Sequence, residues 1–192
     1  MERILAVNPG ATSTKFAVFE GETVLVKKTV EHHGDELKAF SRVFDQYPYR
    51  IDLLRRELAE AGIELSSLHA VVGRGGLMKP LDGGTYQVNE TMVQEMEKAE
   101  RGEHASNLGS VIAYTLGREL GIPAFIVDPV SVDELEPVAR LSGSPWFERL
   151  SMTHALNMKA VARKVAAELG KKYEDANLVV AHLGTGVSLS AH

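Results

Sequence analysis

The sequence predicts an α/β domain with a mixed β-sheet, in the order three strands, helix, strand, helix, strand, helix. Short, wholly apolar runs such as residues 4–7 and 124–127 have the composition of central strands that are buried on both faces. Strands and tight turns alternate near the amino terminus, before any helical spacing occurs. Amphipathic helical patterns then alternate with single apolar strands, which is typical of a sheet that continues through parallel crossovers.

The elements follow from local patterns along the chain. The predicted strands are short apolar or alternating runs bounded by turn residues, at 4–7, 15–20, 23–30, 68–72, 124–127, 178–181 and 187–191. The predicted helices have apolar residues three and four apart, at 37–47, 51–61, 91–101, 106–120, 133–141 and 151–169. Ser106 is a candidate N-cap, and Gly62 and Gly121 are candidate C′ residues at the ends of their helices.

A glycine-rich stretch at residues 73–84 has no apolar period. It predicts a long loop at a place where the backbone approaches a neighbouring group closely, because glycine lacks the Cβ that would prevent the approach.

The carboxyl-terminal stretch repeats the opening of the chain. Residues 178–191 have the same order of strand, glycine turn and strand as residues 4–20. A two-stranded hairpin is only marginally stable alone, and 192 residues correspond to about 1.3 domains of usual size. We therefore expect one domain at 1–174, with 175–192 as the first hairpin of a second, related domain that is cut off after it.

Composition narrows the function classes. The net charge of −5 is acidic and dispersed, which argues against nucleic acid or a membrane surface as a partner. The absence of cysteine excludes disulfides, thiolate metal sites and a cysteine nucleophile. Unbroken apolar runs reach only four residues, so we expect no membrane span and a cytoplasmic location.

Three polar residues follow predicted strands directly: Asn8, Arg74 and Asp128. In an open parallel sheet, ligands bind beyond the carboxyl ends of the strands. An arginine in a glycine-rich loop can hold a carboxylate or phosphoryl oxygens through paired hydrogen bonds, and the aspartate can orient a polar group or help to hold a metal ion. The alternatives are a surface arginine and an aspartate that caps the turn at Pro129.

The turn at residues 8–15 offers backbone N–H groups, hydroxyls such as that of Ser13, and the ammonium of Lys15, all suited to phosphate oxygens. It is not a Walker A loop, because the required Gly-Lys-Ser/Thr is missing. The alternative is a plain hairpin turn whose hydroxyls bond their own backbone. A second glycine turn at 182–186 favours phosphate, since two facing hairpins can clamp one polyphosphate.

Two of the histidines, His104 and His154, are candidate site residues. His32 and His33 close a strand in a polar stretch, and we expect both to be solvated. His104 is either a cap neighbour or a site residue. His154 lies in the first turn of the helix predicted at 151–169, in line with a buried stripe of Met158, Val161, Val165 and Leu169; there it is either a core residue or one that faces an anion. No zinc motif or complete dinucleotide fingerprint is present in the sequence.

Five sequence motifs, taken together, resemble those of a known protein family. They are NPGATSTK at 8–15, VGRGGLMKPL at 72–81, GEHASNLG at 102–109, FIVDPV at 125–130 and AHLGTG at 181–186. In this order they resemble the acetokinase family, and the second and third look like its butyrate kinase branch. The resemblance implies two actin-like, ribonuclease-H-like domains around a cleft. It also implies transfer of the ATP γ-phosphoryl group to a short-chain carboxylate, with ATP and Mg²⁺ as cofactors.

The resemblance implies roles for residues at the matching positions. For catalysis these are Asp128, His154 and Arg74, and for binding of the carboxylate substrate Arg74 and His104. For Mg²⁺ the position is Asn8, and for ATP and its phosphates the positions are Ser13, Lys15, His182, Leu183, Gly184, Thr185 and Gly186. Ala11 stands where many relatives have serine, which removes one hydroxyl from the first hairpin.

The leading hypothesis is therefore a butyrate-type carboxylate kinase, of which this chain resembles the N-terminal half and is inactive alone. The full-length protein is expected to be a homo-oligomer. The alternative is a non-catalytic actin-like module that acts in assembly or regulation with a separate partner. A third, weaker hypothesis is a phosphatase on the same fold.

Overall fold

The computed structural model describes residues 1–184 and 187–191. The strands are β1 Arg3–Pro9, β2 Ser13–Glu20, β3 Thr23–Glu31, β4 Ala70–Gly73, β5 Thr85–Gln87, β6 Ala124–Val127, β7 Val179–Leu183 and β8 Val187–Ala191. The α-helices are α1 Gly34–Lys38, α2 Tyr47–Glu60, α3 Glu90–Lys98, α4 Asn107–Leu120 and α5 Ala155–Glu168. No helix among the described residues is long and apolar enough to cross a bilayer.

The chain divides into two compact units. The first contains Met1–Lys79 and Gly84–Val127, and the second contains Pro80–Gly83 and the described residues from Asp128 onward. The domain boundary predicted after residue 174 stays a prediction.

The first unit is built on a six-stranded sheet in the order β3-β2-β1-β4-β6-β5. The first three strands form an antiparallel meander, and β4 and β6 extend it in parallel. The predicted α/β class with a mixed sheet is thereby confirmed. Strand β5, which pairs antiparallel to β6 at the edge, was missed because three residues are too few to show a strand period.

Helix α4 covers the middle of this sheet with Leu108, Ile112 and Leu116, which are fully buried. A Cβ added to Gly73 at the end of β4 would lie 1.9 Å from the carbonyl oxygen of Gly109 in α4. The close backbone approach predicted for the glycine-rich loop is therefore real, and at this position its neighbour is a helix of the same unit. The two helix ends predicted at Gly62 and Gly121 are also present, both with positive φ.

The helix predicted at 37–47 is wrong, because α1 ends at Lys38 and only a 3₁₀ turn forms at Phe44–Gln46. The Val43 N–H, which a continuous helix would pair with a carbonyl one turn earlier, donates instead to Glu103 Oε2 at 3.2 Å. Ser106 does occupy the predicted N-cap position of α4, but its side chain makes no cap hydrogen bond, because its hydroxyl lies 2.8 Å from His104 Nδ1 instead.

In the second unit, the helix predicted at 133–141 is reduced to a 3₁₀ turn at Pro137–Arg140. The Asp133 carboxylate receives two bonds from Arg140, at 2.9 and 3.0 Å, and one from the Leu135 N–H. The apolar spacing was misleading because Val138 and Leu141 are 75% and 73% exposed.

Helix α5 begins at Ala155, four residues later than predicted, so His154 precedes the helix rather than lying in its first turn. Its buried residues are Ala155, Met158, Ala162 and Ala166, whereas Val161 and Leu169 of the predicted stripe are exposed. Strands β7 and β8 form the predicted antiparallel hairpin, and β7 extends to Leu183, so His182 belongs to the strand and not to the turn.

Candidate functional site

Asn8 and Arg74 lie together in the first unit, and His104 is within electrostatic range of Arg74. Strands β1 and β4 are parallel neighbours with Val7 opposite Gly73, so the residues that follow meet at one edge of the sheet. Arg74 Nη1 donates to Asn8 Oδ1 at 3.4 Å. Partial burial, together with the positive charge of Arg74, lowers the pKa of His104. The sequence prediction that strand ends bring Asn8 and Arg74 together is thus met within this unit.

The hydrogen bonds of His104 define its chemistry. Its Nδ1 accepts from the Ser106 N–H at 3.1 Å, which assigns the proton of the neutral ring to Nε2. A guanidinium and an imidazole N–H are therefore available beside an exposed amide. This combination of donors suits a carboxylate, which accepts hydrogen bonds on both oxygens.

Lys15 lies directly opposite Asn8 in the β1–β2 register. Residues opposite each other on antiparallel strands project from the same face, and both side chains are exposed. Ser13 begins β2, and its carbonyl accepts from the Gly10 N–H at 2.7 Å, which closes the turn. Lys15 and Asn8 thus present a cation and an amide side by side, next to a turn that is closed by a backbone hydrogen bond.

A buried polar cluster, missed by the sequence analysis, lies under this hairpin. Arg50 is fully buried, and its Nη1 donates to Thr14 Oγ1 at 3.0 Å and to the Ser13 carbonyl at 3.2 Å. Its Nη2 donates to Gln46 Oε1 at 2.9 Å. Burial lowers the pKa of Arg50 to about 10, so it remains a cation at neutral pH. A signal was available, since Arg50 lies four residues before Leu54 on the apolar face of α2.

The prediction that His32 is solvated is wrong, since it is only 7% exposed. Its Nε2 lies 2.8 Å from Thr14 Oγ1, and its Nδ1 lies 3.2 Å from the Tyr49 hydroxyl, which in turn donates to Glu36. Burial, assisted by the charge of Arg50, lowers the pKa of His32. The polar sequence around His32 hid this, because the ring turns toward α2. His33 is exposed, as predicted.

In the second unit, Asp128 comes directly after β6 and has a φ of +39°, an uncommon backbone conformation for a residue with a side chain. Lys159 Nζ lies 3.6 Å from Asp128 Oδ1 and 2.8 Å from a carboxylate oxygen of Glu134. Burial alone would lower the pKa of Lys159, but the hydrogen bond to Glu134 and the charge of Asp128 outweigh it and raise that pKa. Asp128 is thus held beside a cation that the sequence analysis did not identify.

His154 and His182 stack in the same unit. Their ring centroids are 3.9 Å apart and their planes differ by 15°. Asn157 Nδ2 lies 3.5 Å from His182 Nδ1. Leu183 and Gly184 are exposed at the end of β7, while Thr185 and Gly186 lie outside the described residues. The arrangement brings together the two histidines that the resemblance assigns to phosphoryl groups.

Comparison with solved structures shows the same fold in carboxylate kinases. The chain matches the acetate kinase of Porphyromonas gingivalis over 100% of its length and 55% of that chain, with a TM-score of 0.71 and 16% identity. It matches a propionate kinase from Francisella tularensis subsp. tularensis SCHU S4 with a TM-score of 0.66, 17% identity and coverage of 100% and 54%. Acetate kinase from Entamoeba histolytica matches with a TM-score of 0.62, 14% identity and coverage of 100% and 52%.

These matches show a shared actin-like fold, and the chain spans about half the length of the kinases it matches. No family model matches the sequence.

Proposed function

We propose that this chain supplies the carboxylate-binding part of a kinase that transfers the ATP γ-phosphoryl group to a short-chain carboxylate. The observation that carries the proposal is the grouping of Arg74, Asn8 and His104 beyond the carboxyl ends of β1 and β4. The fold shared with acetate and propionate kinases supports it.

The chemistry requires alignment more than proton removal. One carboxylate oxygen forms a bond to the γ-phosphorus while the bond from that phosphorus to the β,γ-bridging oxygen breaks, which gives an acyl phosphate and ADP. A carboxylate is already a nucleophile, so catalysis rests on orientation and on neutralisation of phosphoryl charge. Arg74 binds and aligns the carboxylate, and His104 donates a second hydrogen bond to it.

The remaining predicted residues act on the phosphate groups and the acceptor. Asp128, fixed by Lys159, orients a polar group rather than removing a proton. His154, stacked on His182, donates to phosphoryl oxygens, and Ser13 and Lys15 bind ATP phosphates at the first hairpin, with residues 182–186 as the second.

Asn8 is the residue proposed to hold Mg²⁺, because its side chain is exposed and an amide oxygen is a hard ligand, which Mg²⁺ takes together with several waters and substrate phosphates. The long hydrogen bond of 3.4 Å from Arg74 to this oxygen would be replaced when the ion binds. When bound, Mg²⁺ neutralises phosphate charge.

The butyrate branch is proposed from the resemblance at residues 72–81 and 102–109. We further propose that the chain is the N-terminal half of a cytoplasmic, homo-oligomeric kinase and that this half is inactive when it stands alone.

The test uses the complete product of the gene that encodes this sequence. It is incubated with MgATP and butyrate, isobutyrate, propionate or acetate, and acyl phosphate is trapped with hydroxylamine. We expect acyl phosphate that depends on both ATP and carboxylate, with the highest kcat/KM for a four-carbon acid. Acyl phosphate from none of the four acids would refute the kinase, and a preference for acetate would refute the butyrate branch alone.

A further inference from the structure

Arg50 is a buried cation whose acceptors within the described residues are all neutral. They are the Ser13 carbonyl, the Thr14 hydroxyl and the Gln46 side-chain oxygen, and its Nε has no hydrogen-bond partner among those residues. The carboxylate that the polar cluster does contain, Glu36, is reached only through His32 and Tyr49.

A buried charge is normally paired, because removal from water without a counter-ion is costly. Burial lowers the pKa of Arg50 only to about 10, so the charge persists at neutral pH. An apolar side chain at this position on α2 would continue the buried stripe formed with Leu54 and Leu58. We therefore expect a negatively charged group to bind close to the Arg50 guanidinium.

The position of Arg50 indicates where that counter-charge binds. Its Nη1 is bonded to Ser13 and Thr14, which continue the turn that begins at Gly10. The backbone N–H of His32 holds the same turn through the Thr12 carbonyl at 2.8 Å. The turn is thus fixed from the buried side, and its exposed side carries Lys15.

We propose that the counter-ion of Arg50 is a phosphate group bound at the turn of residues 10–13, and that Arg50 is a positioning residue for it through Ser13 and Thr14. This inference rests on the proposed function, since it assigns that turn to phosphate. The positive charge of Arg50 acts on the anion across the turn, and burial of the guanidinium reduces the screening of that charge by water. The hydrogen bonds to Ser13 and Thr14 keep the turn in the conformation that receives it.

Gln46→Glu tests the inference, because it places a carboxylate oxygen where the Gln46 amide oxygen now lies, 2.9 Å from Arg50 Nη2. The variant gives Arg50 an internal counter-ion with almost no change in shape. In the complete gene product we expect a higher Tm and binding of tripolyphosphate about tenfold weaker by isothermal titration. A purely structural Arg50 would give the higher Tm with unchanged tripolyphosphate affinity, and that result would overturn the inference.

Two further comparisons isolate the effect. Gln87→Glu adds the same charge on an exposed residue at the opposite edge of the sheet, and we expect its tripolyphosphate affinity to match that of the wild type. Arg50→Lys keeps the positive charge but loses the planar set of guanidinium N–H donors. The tripolyphosphate affinity of this variant should therefore lie between those of the wild type and Gln46→Glu. Equal weakening by Gln87→Glu and Gln46→Glu would contradict a role specific to Arg50.

The outcomes separate this inference from the proposed kinase. If no acyl phosphate forms but Gln46→Glu still weakens tripolyphosphate binding selectively, the anion site stands and the kinase fails. If acyl phosphate forms and Gln46→Glu changes neither the tripolyphosphate affinity nor the KM for MgATP, the kinase stands and the inference fails. Absence of tripolyphosphate binding to the wild type also overturns the inference.

Discussion

The contact between α4 and the segment after β4 gives a sharp stability prediction. A Cβ added at Gly109 would lie 2.1 Å from the carbonyl oxygen of Arg74 and 2.7 Å from its nitrogen. Ordinary contact begins at 3.4 Å. Gly109→Ala therefore forces a backbone displacement of about 1.3 Å between two packed elements, and packed interiors do not absorb such shifts freely.

The expected cost can be worked from two opposing effects. Overpacking in a tight core costs up to about 3 kcal/mol, and here both contacting groups are backbone. Alanine gains about 1 kcal/mol over glycine in helix propensity. We expect a net loss of about 2 kcal/mol, which corresponds to a fall in Tm of about 4–8 °C for a chain of this size.

Urea unfolding followed by circular dichroism measures the change. Gly34→Ala is the matched control, since it is also helical and a Cβ there meets nothing within 4 Å. With helix propensity gained and no clash to oppose it, we expect this variant to be as stable as the wild type or up to about 1 kcal/mol more stable. If Gly109→Ala unfolds at the same urea concentration as the wild type or a higher one, the close approach of α4 to Arg74 is refuted.

Two further predictions concern the buried polar clusters. Because the folded-state pKa of His32 is lowered, its neutral form stabilises the fold fully above about pH 6.5, and this contribution is lost as the pH falls below that value. His32→Gln should therefore flatten the pH dependence of the unfolding free energy between about pH 7 and 5. His33→Gln, the exposed control, should retain the pH dependence of the wild type. If the unfolding free energies of His32→Gln and the wild type change in parallel with pH, the role of His32 is contradicted. Lys159→Met removes the cation that lies 3.6 Å from Asp128 and should lower the unfolding free energy by about 2 kcal/mol, less than for a fully buried pair because Glu134 is half-exposed. Lys164→Met, exposed on the same helix, should change it by under about 0.5 kcal/mol, and equal effects of the two variants in urea unfolding would count against the pairing.

Two strands of the central sheet could be predicted with ease from the sequence because they contain wholly apolar runs. Residues 4–7 and 124–127 were assigned as buried strands, and β1 and β6 contain them. Residues at 133–141 could not be assigned correctly, because helical apolar spacing there coincides with an Asp133–Arg140 pair that fixes a different backbone path. The helical spacing of apolar residues does not by itself reveal which of them are buried.

The candidate site was only partly predictable for a similar reason. Asn8 and Arg74 follow strands, so the rule for strand ends placed them together. The spacing of Arg50 from Leu54 places it on the apolar face of α2, but only tertiary packing shows that Arg50 reaches the hairpin and that Lys159 reaches Asp128. The burial of His32 could not be predicted, because the polar residues around it indicate solvent exposure and do not reveal the direction of its ring.

The role of Arg74 tests the central claim most directly. Acyl phosphate formation by the complete gene product is measured against butyrate concentration at saturating MgATP, for the wild type, Arg74→Ala and the exposed control Arg118→Ala. Loss of a guanidinium that binds the substrate carboxylate should lower kcat/KM for butyrate by about 100-fold, while the KM for MgATP changes by less than about threefold and Arg118→Ala behaves as the wild type. An equal loss toward both substrates, or no loss toward butyrate, would contradict the assignment of Arg74 to the carboxylate.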